Sequence, residues 1–250
     1  MPFLKTAAPA LVLLFLICSC EKAPNCASEL VLVADNTSPI AGSSFTITAP
    51  RESSDDLYQW NGPGVNEITS SNTLTIDNAK VSHRGVYSVQ KGNTECNTSL
   101  SDTIFINVQL PQGDAPCTTT NNVIVCSNIP GVNVTSATQS VHPVFNGMAL
   151  FGSGSFGYPS FTVLFNSYNG NVEPEDGIYK TKNVAVFSVT DEPNTISVSF
   201  LYSSNYYHCQ EGANVYVKHI NGKLSVTFCN LVFGSSPLPN TTCSGTITEL

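Results

Sequence analysis

The sequence predicts an all-β protein built as two antiparallel sandwiches, and three observations carry that prediction. Charged residues make up only 11% of the chain, while Val, Ile, Thr, Phe, Tyr, Ser and Asn fill its interior, a composition suited to pleated surfaces joined by polar turns. Short segments that alternate apolar and polar residues recur between Gly, Pro, Asn and Ser clusters, the pattern of half-buried strands. A Pro/Gly stretch, Leu110-Pro111-Gln112-Gly113-Asp114-Ala115-Pro116, divides these segments into two groups, as a linker does. With 250 residues, each half can bury its own core. The expected organisation is a signal peptide over 1–19, a tether over 20–25, one domain over 26–109, the linker over 110–116 and a second domain over 117–250.

The formal charge is -8, and loss of Lys5 with the leader makes the mature chain more acidic still. No basic cluster occurs, which argues against nucleic acid, whose phosphates need grouped Lys and Arg. Electrostatic docking to anionic lipid is excluded on the same ground.

The leader carries Lys5, an apolar run from Ala10 to Ile17 and a small Ser19 before Cys20, the layout of a signal peptide. The run is shorter than the roughly 20 apolar residues that span a bilayer. Ile17-Cys18-Ser19-Cys20 resembles a bacterial lipobox, in which the chain is cut before a cysteine that carries diacylglycerol. Cys18 would place bulky Ile17 at the cleavage position, whereas Cys20 places Ser19 there, so Cys20 is the expected lipidated residue. The resemblance implies a cell-envelope protein held by the lipid on Cys20, with the outer membrane as its expected partner and place.

Nine cysteines less Cys18 and Cys20 leave seven, in a compartment where disulfides persist and one thiol must be left over. Cys26 and Cys96 bracket the first domain, and a bridge between them would contribute about 4 kcal/mol in the chain-entropy model. Cys117, Cys126, Cys209, Cys229 and Cys243 allow several pairings. Adjacent-strand geometry favours Cys229 with Cys243. A metal site from His208, Cys209 and His219 lacks Cys-x-x-Cys spacing, so no metal and no cofactor is expected.

In the first domain, strands are expected at Leu30 to Val33, Ser44 to Thr48, Leu57 to Trp60, Thr73 to Ile76, Gly85 to Val89 and Thr103 to Val108. Phe45 with Ile47, Tyr58 with Trp60, and Tyr87 with Val89 lie two apart and share inward faces. Two segments, Tyr58-Gln59-Trp60-Asn61-Gly62-Pro63-Gly64 and Asn78 to Val89, resemble immunoglobulin-like domains of exported Bacteroidetes proteins. The resemblance implies an immunoglobulin-like sandwich with Tyr87 at the tyrosine corner, its hydroxyl bonded to backbone upstream. The chain departs from that family at His83 and Val89, which replace an Asp and a Cys, so the inter-sheet disulfide is absent and Ile47 and Val89 fill the space.

The second domain is expected to hold about ten strands: Val123 to Cys126, Val132 to Ala137, Met148 to Phe151, Phe161 to Phe165, Ile178 to Thr181, Val184 to Val189, Ile196 to Tyr202, the hairpin Asn214 to Phe233, and Ser244 to Thr248. Asn221-Gly222 favours a type I′ turn, which sets Val217 opposite Val226 and Val215 opposite Phe228 and turns Cys229 to the other face. Gly177-Ile178-Tyr179, this hairpin and the closing Cys243 to Thr248 resemble small C-terminal domains of Bacteroidetes lipoproteins, a likeness that implies no activity.

Candidate chemistry is sparse. Gly152-Ser153-Gly154-Ser155-Phe156-Gly157 spells a dinucleotide motif but precedes the strand-like Phe161 to Phe165 instead of a helix, so it reads as a loop. Glu173, Glu175 and Asp176 read as a solvated turn. The four histidines lack triad or ligand spacing. Asp102-Thr103-Ile104 matches a three-residue O-glycosylation pattern. Tyr202, Tyr206 and Tyr207, with Asn205, offer flat apolar faces with polar ends, suited to a glycan or protein ligand. The expectation is therefore a non-enzymatic binding or adhesion module. The alternatives are a carbohydrate-binding part of a glycan-uptake system, and a hydrolase using Glu173, Asp176 or Asp191 with His208.

Overall fold

Alternation shapes the first domain. The computed structural model describes residues 29–51, 56–93, 98–142, 147–166, 172–183 and 194–250. Its first strands are β1 (Val33–Ala34), β2 (Phe45–Thr48), β3 (Leu57–Gly62), β4 (Val65–Thr69), β5 (Thr73–Ile76), β6 (Gly85–Asn93) and β7 (Thr98–Ile106). They form a three-stranded sheet, β1-β2-β5, and a four-stranded sheet, β4-β3-β6-β7. Phe45, Ile47, Tyr58, Trp60, Tyr87 and Val89 are all at most 1% exposed and belong to one core. This is an immunoglobulin-like sandwich. Tyr87 donates its hydroxyl to the His83 carbonyl at 2.9 Å, which is the tyrosine corner. Ile47 and Val89 pack where the inter-sheet disulfide would lie. Gly62 is needed because the Tyr87 ring rests directly against it, leaving no room for a Cβ.

Three features differ from the sequence expectation or add to it. The first strand shrinks to Val33–Ala34, because the Leu32 N–H turns to the Asp102 carboxylate of β7 at 2.8 Å instead of a ladder partner. Strand β4 is an edge with no fully buried residue, so it carries no alternation signal. Lys91 and Asp56 form an ion pair at 3.1 Å with both side chains buried.

The second domain contains β8 (Val123–Cys126), β9 (Val132–Asn133), β10 (Ser136–Val141), β11 (Met148–Ser153), β12 (Ser160–Phe165), β13 (Gly177–Thr181), β14 (Thr195–Tyr202), β15 (Asn205–Cys209), β16 (Asn214–Ile220), β17 (Lys223–Ser235) and β18 (Leu238–Thr248). These eleven strands form one continuous sheet, β10-β11-β12-β14-β13-β16-β17-β18-β8-β9, with β15 bridging β14 and β17. All pairs are antiparallel except β13 beside β14. The pairings of β14, β13, β16, β17 and β15 close a ring, and one apolar core runs from Leu110 to Ile247. The Asn221-Gly222 turn has both residues left-handed, and Val217 faces Val226 while Val215 faces Phe228.

Cysteine pairing corrects the expected Cys229–Cys243 bridge. Cys229 joins Cys117, and Cys243 joins Cys126. The reason is alternation: Phe228 opposes Gly245 on the buried face, so Cys229, the next residue of β17, and Cys243, two residues before Gly245 on β18, fall on opposite faces, and past the bulge at Asn230, with φ 51°, Leu231 opposes Cys243. Cys243 is thereby buried while Cys229 stays half-buried on the other face. Among the described residues, Cys209 is the free cysteine. Cys20, Cys26, Cys96, Asp191 and the expected strand at Val184 to Val189 lie outside the described residues.

The linker is fastened to the second domain. Leu110 enters its core, the Pro111 carbonyl accepts from Ile178 N at 2.8 Å, and Asp114 pairs with Lys218. Arg84 clasps Glu175 with two hydrogen bonds, at 2.5 and 2.9 Å, and also donates to the Val108 carbonyl. The Arg84 hydrogen bond holds Glu175 below its ordinary carboxylate range against the opposing effect of burial.

Trp60→Ala removes a fully buried indole and should cost about 3 to 5 kcal/mol by denaturant melt, whereas Ile68→Ala on the exposed edge strand should leave the melt almost unchanged. Non-reducing peptide mapping should yield Cys117 linked to Cys229 and Cys126 linked to Cys243, with no Cys229–Cys243 species.

Candidate functional site

The β14–β15 hairpin turns on Ser203 and Ser204, both left-handed at φ 49° and 67°, matching the I′ geometry that suits strand twist. Period-two alternation then separates the tyrosines. Tyr207 opposes Phe200 and stacks on it with centroids 4.7 Å apart, so it is a core residue, 6% exposed. Tyr202 is half-buried and packs against the same core. The expected three-tyrosine platform is therefore corrected, because adjacent Tyr206 and Tyr207 must point to opposite faces. Tyr206 alone points out, 63% exposed. Its ring lies parallel to His208, with centroids 6.3 Å apart.

On that outer face His208 sits between Ser199 of β14 and Gly234 of β17. Two small neighbours leave a trough above the imidazole. One wall is Ser204, Asn205 and Tyr206; the other is Ser235, Ser236, Pro237 and Leu238 of the β17–β18 turn; Gln210 and Asn240 complete a groove of about 860 Å³. No Asp, Glu, Lys or Arg lines it among the described residues. Burial lowers the His208 pKa from its ordinary value of 6.5, so the ring is neutral at neutral pH. Its Nδ1 is buried without a hydrogen-bond partner. Cys209 borders the groove, yet its sulfur accepts Val198 N–H at 3.3 Å, and burial pushes its thiol pKa up, so it is inert as a nucleophile.

The carboxylates considered for acid/base work meet a different histidine. His219 Nδ1 lies 2.6 Å from Asp176 and its Nε2 lies 3.1 Å from Glu173, while His208 is not part of the cluster. Both imidazole nitrogens of His219 thus face carboxylates. His208 and Cys209 are consecutive on β15 and point to opposite faces, so they do not share a ligand position. The glycine-rich loop joins β11 to β12 through a short 3₁₀ turn at Ser155–Gly157, and no helix follows it to meet a pyrophosphate. Gly234, Gln210 and Asn240 escaped sequence reading, because Gly234 and Asn240 reach the groove from a hairpin more than twenty residues downstream.

No protein-family model matches this chain, and no curated protein sequence does. Among solved structures, the second Ig-C2 domain of human Fc-receptor like A is 22% identical over 32% of this chain and 96% of its own, with TM-score 0.29. The three N-terminal domains of the bacteriophage RB49 highly immunogenic outer capsid protein are 15% identical over 88% of this chain, which spans 59% of that one, with TM-score 0.28. Neither likeness bears on what this chain binds.

The His219 cluster has a pH signature. Burial pulls the imidazole down, but hydrogen bonds to Asp176 and Glu173 outweigh it and raise the pKa above 6.5. A group raised on folding stabilises fully below its unfolded pKa and loses that contribution as pH rises through the folded value. The melting temperature of the wild type should therefore fall relative to His219→Gln as pH is raised from about 5.5 to about 8, and a constant difference across that range would refute the pairing.

Proposed function

We propose that this chain is a lipid-anchored envelope protein and acts as a non-enzymatic binding module, with the first sandwich spacing the second domain from the membrane and the groove beside His208 receiving the ligand. The observation that carries this reading is the open groove whose described walls hold amide, hydroxyl and tyrosine side chains with Pro237 and Leu238 and, among the described residues, no charged one, mounted on strands that two disulfides tie to the amino-terminal part of the domain. Pockets that bind by complementarity combine a concave surface with a few convergent polar groups, and paratope-like surfaces rely on Tyr, Ser and Asn. Disulfides in turn belong to oxidising compartments, which agrees with export. The anchor rests on the lipobox-like Ile17-Cys18-Ser19-Cys20.

Both halves of the proposal are testable. A clickable fatty acid should label the wild type and fail to label Cys20→Ala. The labelled full chain should adhere saturably to immobilised glycans or proteins, and Gly234→Phe, whose side chain would rise beside His208 and displace Asn240, should abolish adhesion without moving the melting temperature by more than a few degrees. Adhesion that survives a blocked groove would overturn the assignment.

A further inference from the structure

We infer that the groove beside His208 is a subsite for an uncharged oligosaccharide, with Tyr206 as the stacking face and Asn205, Gln210 and Asn240 as its hydroxyl-reading groups. This rests on the binding reading above and names the ligand class that the groove's chemistry selects. Each side-chain amide carries donors and acceptors next to one another, so one Asn or Gln can serve a pair of neighbouring sugar hydroxyls. The tyrosine ring offers its face to the C–H side of a pyranose, with the hydroxyl end left in water. Tyr206 has the exposure this needs, at 63%.

Other ligand classes fit poorly. A charged ligand finds no compensating side chain among the described lining residues, and leaving its charge unpaired on entry is unfavourable. Acidic glycans also meet a chain of net charge -8. A peptide that binds by strand addition needs a long open backbone edge, but β15 pairs with β14 from Asn205 to His208 and with β17 at His208 and Cys209, which leaves only the three residues Asn205 to Tyr207 without a strand on that side. A peptide that binds by apolar anchors needs deep hydrophobic pockets, and among the described residues the walls carry Pro237 and Leu238 beside the Tyr206 ring, with polar side chains for most of the rest. The His208 ring lies along the groove floor. Gly234 keeps the floor open above it.

The test uses the full chain on an array of neutral and acidic glycans, followed by calorimetry with the best neutral oligosaccharide. Hits confined to neutral glycans are expected, with Tyr206→Ala and the double variant Gln210→Ala/Asn240→Ala each weakening binding at least about tenfold, or roughly 1.4 kcal/mol. All these residues lie on the surface or in turns, and unchanged melting curves confirm that the variants fold. Binding only to acidic glycans, or to none, or unchanged binding by Tyr206→Ala, overturns the inference. If adhesion to a protein surface is nevertheless lost in Gly234→Phe, the binding role of the groove stands and only the sugar falls.

Discussion

Strand β17 changes partner half-way along its length, and the second domain depends on that change. Its first half pairs with β16 through the Asn221-Gly222 turn, and its second half reaches β15 at Phe233 and Gly234. Between them the left-handed Asn230 inserts a bulge, which bends a strand and adds local twist. This irregularity turns Leu231 and Phe233 inward, where unbroken alternation from Phe228 would have turned Asn230 and Val232, and brings the strand to β15, closing the ring of strands that surrounds the core. It also delivers Gly234 to the position opposite His208, which is why a groove exists there at all.

The two domains are joined by more than a linker. Residues 173 to 176 meet both partners: Glu175 holds Arg84 of the first sandwich, and Glu173 and Asp176 hold His219 of β16. Tyr179 anchors the same turn by donating its hydroxyl to the Glu175 carbonyl at 2.9 Å. These carboxylates resemble an acid/base set in sequence, yet each is engaged by a cation or an imidazole. Such surface pairs contribute little energy singly, and their value lies in fixing the direction in which the chain enters β13.

Much of the fold was legible because alternation is a local property. Phe45 and Ile47, Tyr58 and Trp60, and Tyr87 and Val89 announced their shared face from spacing alone, and the register of the β16–β17 hairpin followed from two turn residues. Strand β4 was illegible because an edge strand with no fully buried residue carries no alternation, and β15 because Ser203-Ser204 is not one of the dipeptides that mark a primed turn. The candidate site was legible only in Tyr206. The same alternation that identifies strands would have parted it from Tyr207, had Ser203-Ser204 been recognised as a hairpin turn.

By itself, then, the sequence determined the all-β class, the two cores and the local pairing across tight turns, since these depend on residues near one another in the chain. Only the tertiary structure decided which cysteines meet, which histidine the carboxylates hold, and which side chains surround His208. Those outcomes depend on where a bulge re-aims one long strand and on which distant strands come to lie beside it, and no short stretch of residues encodes either.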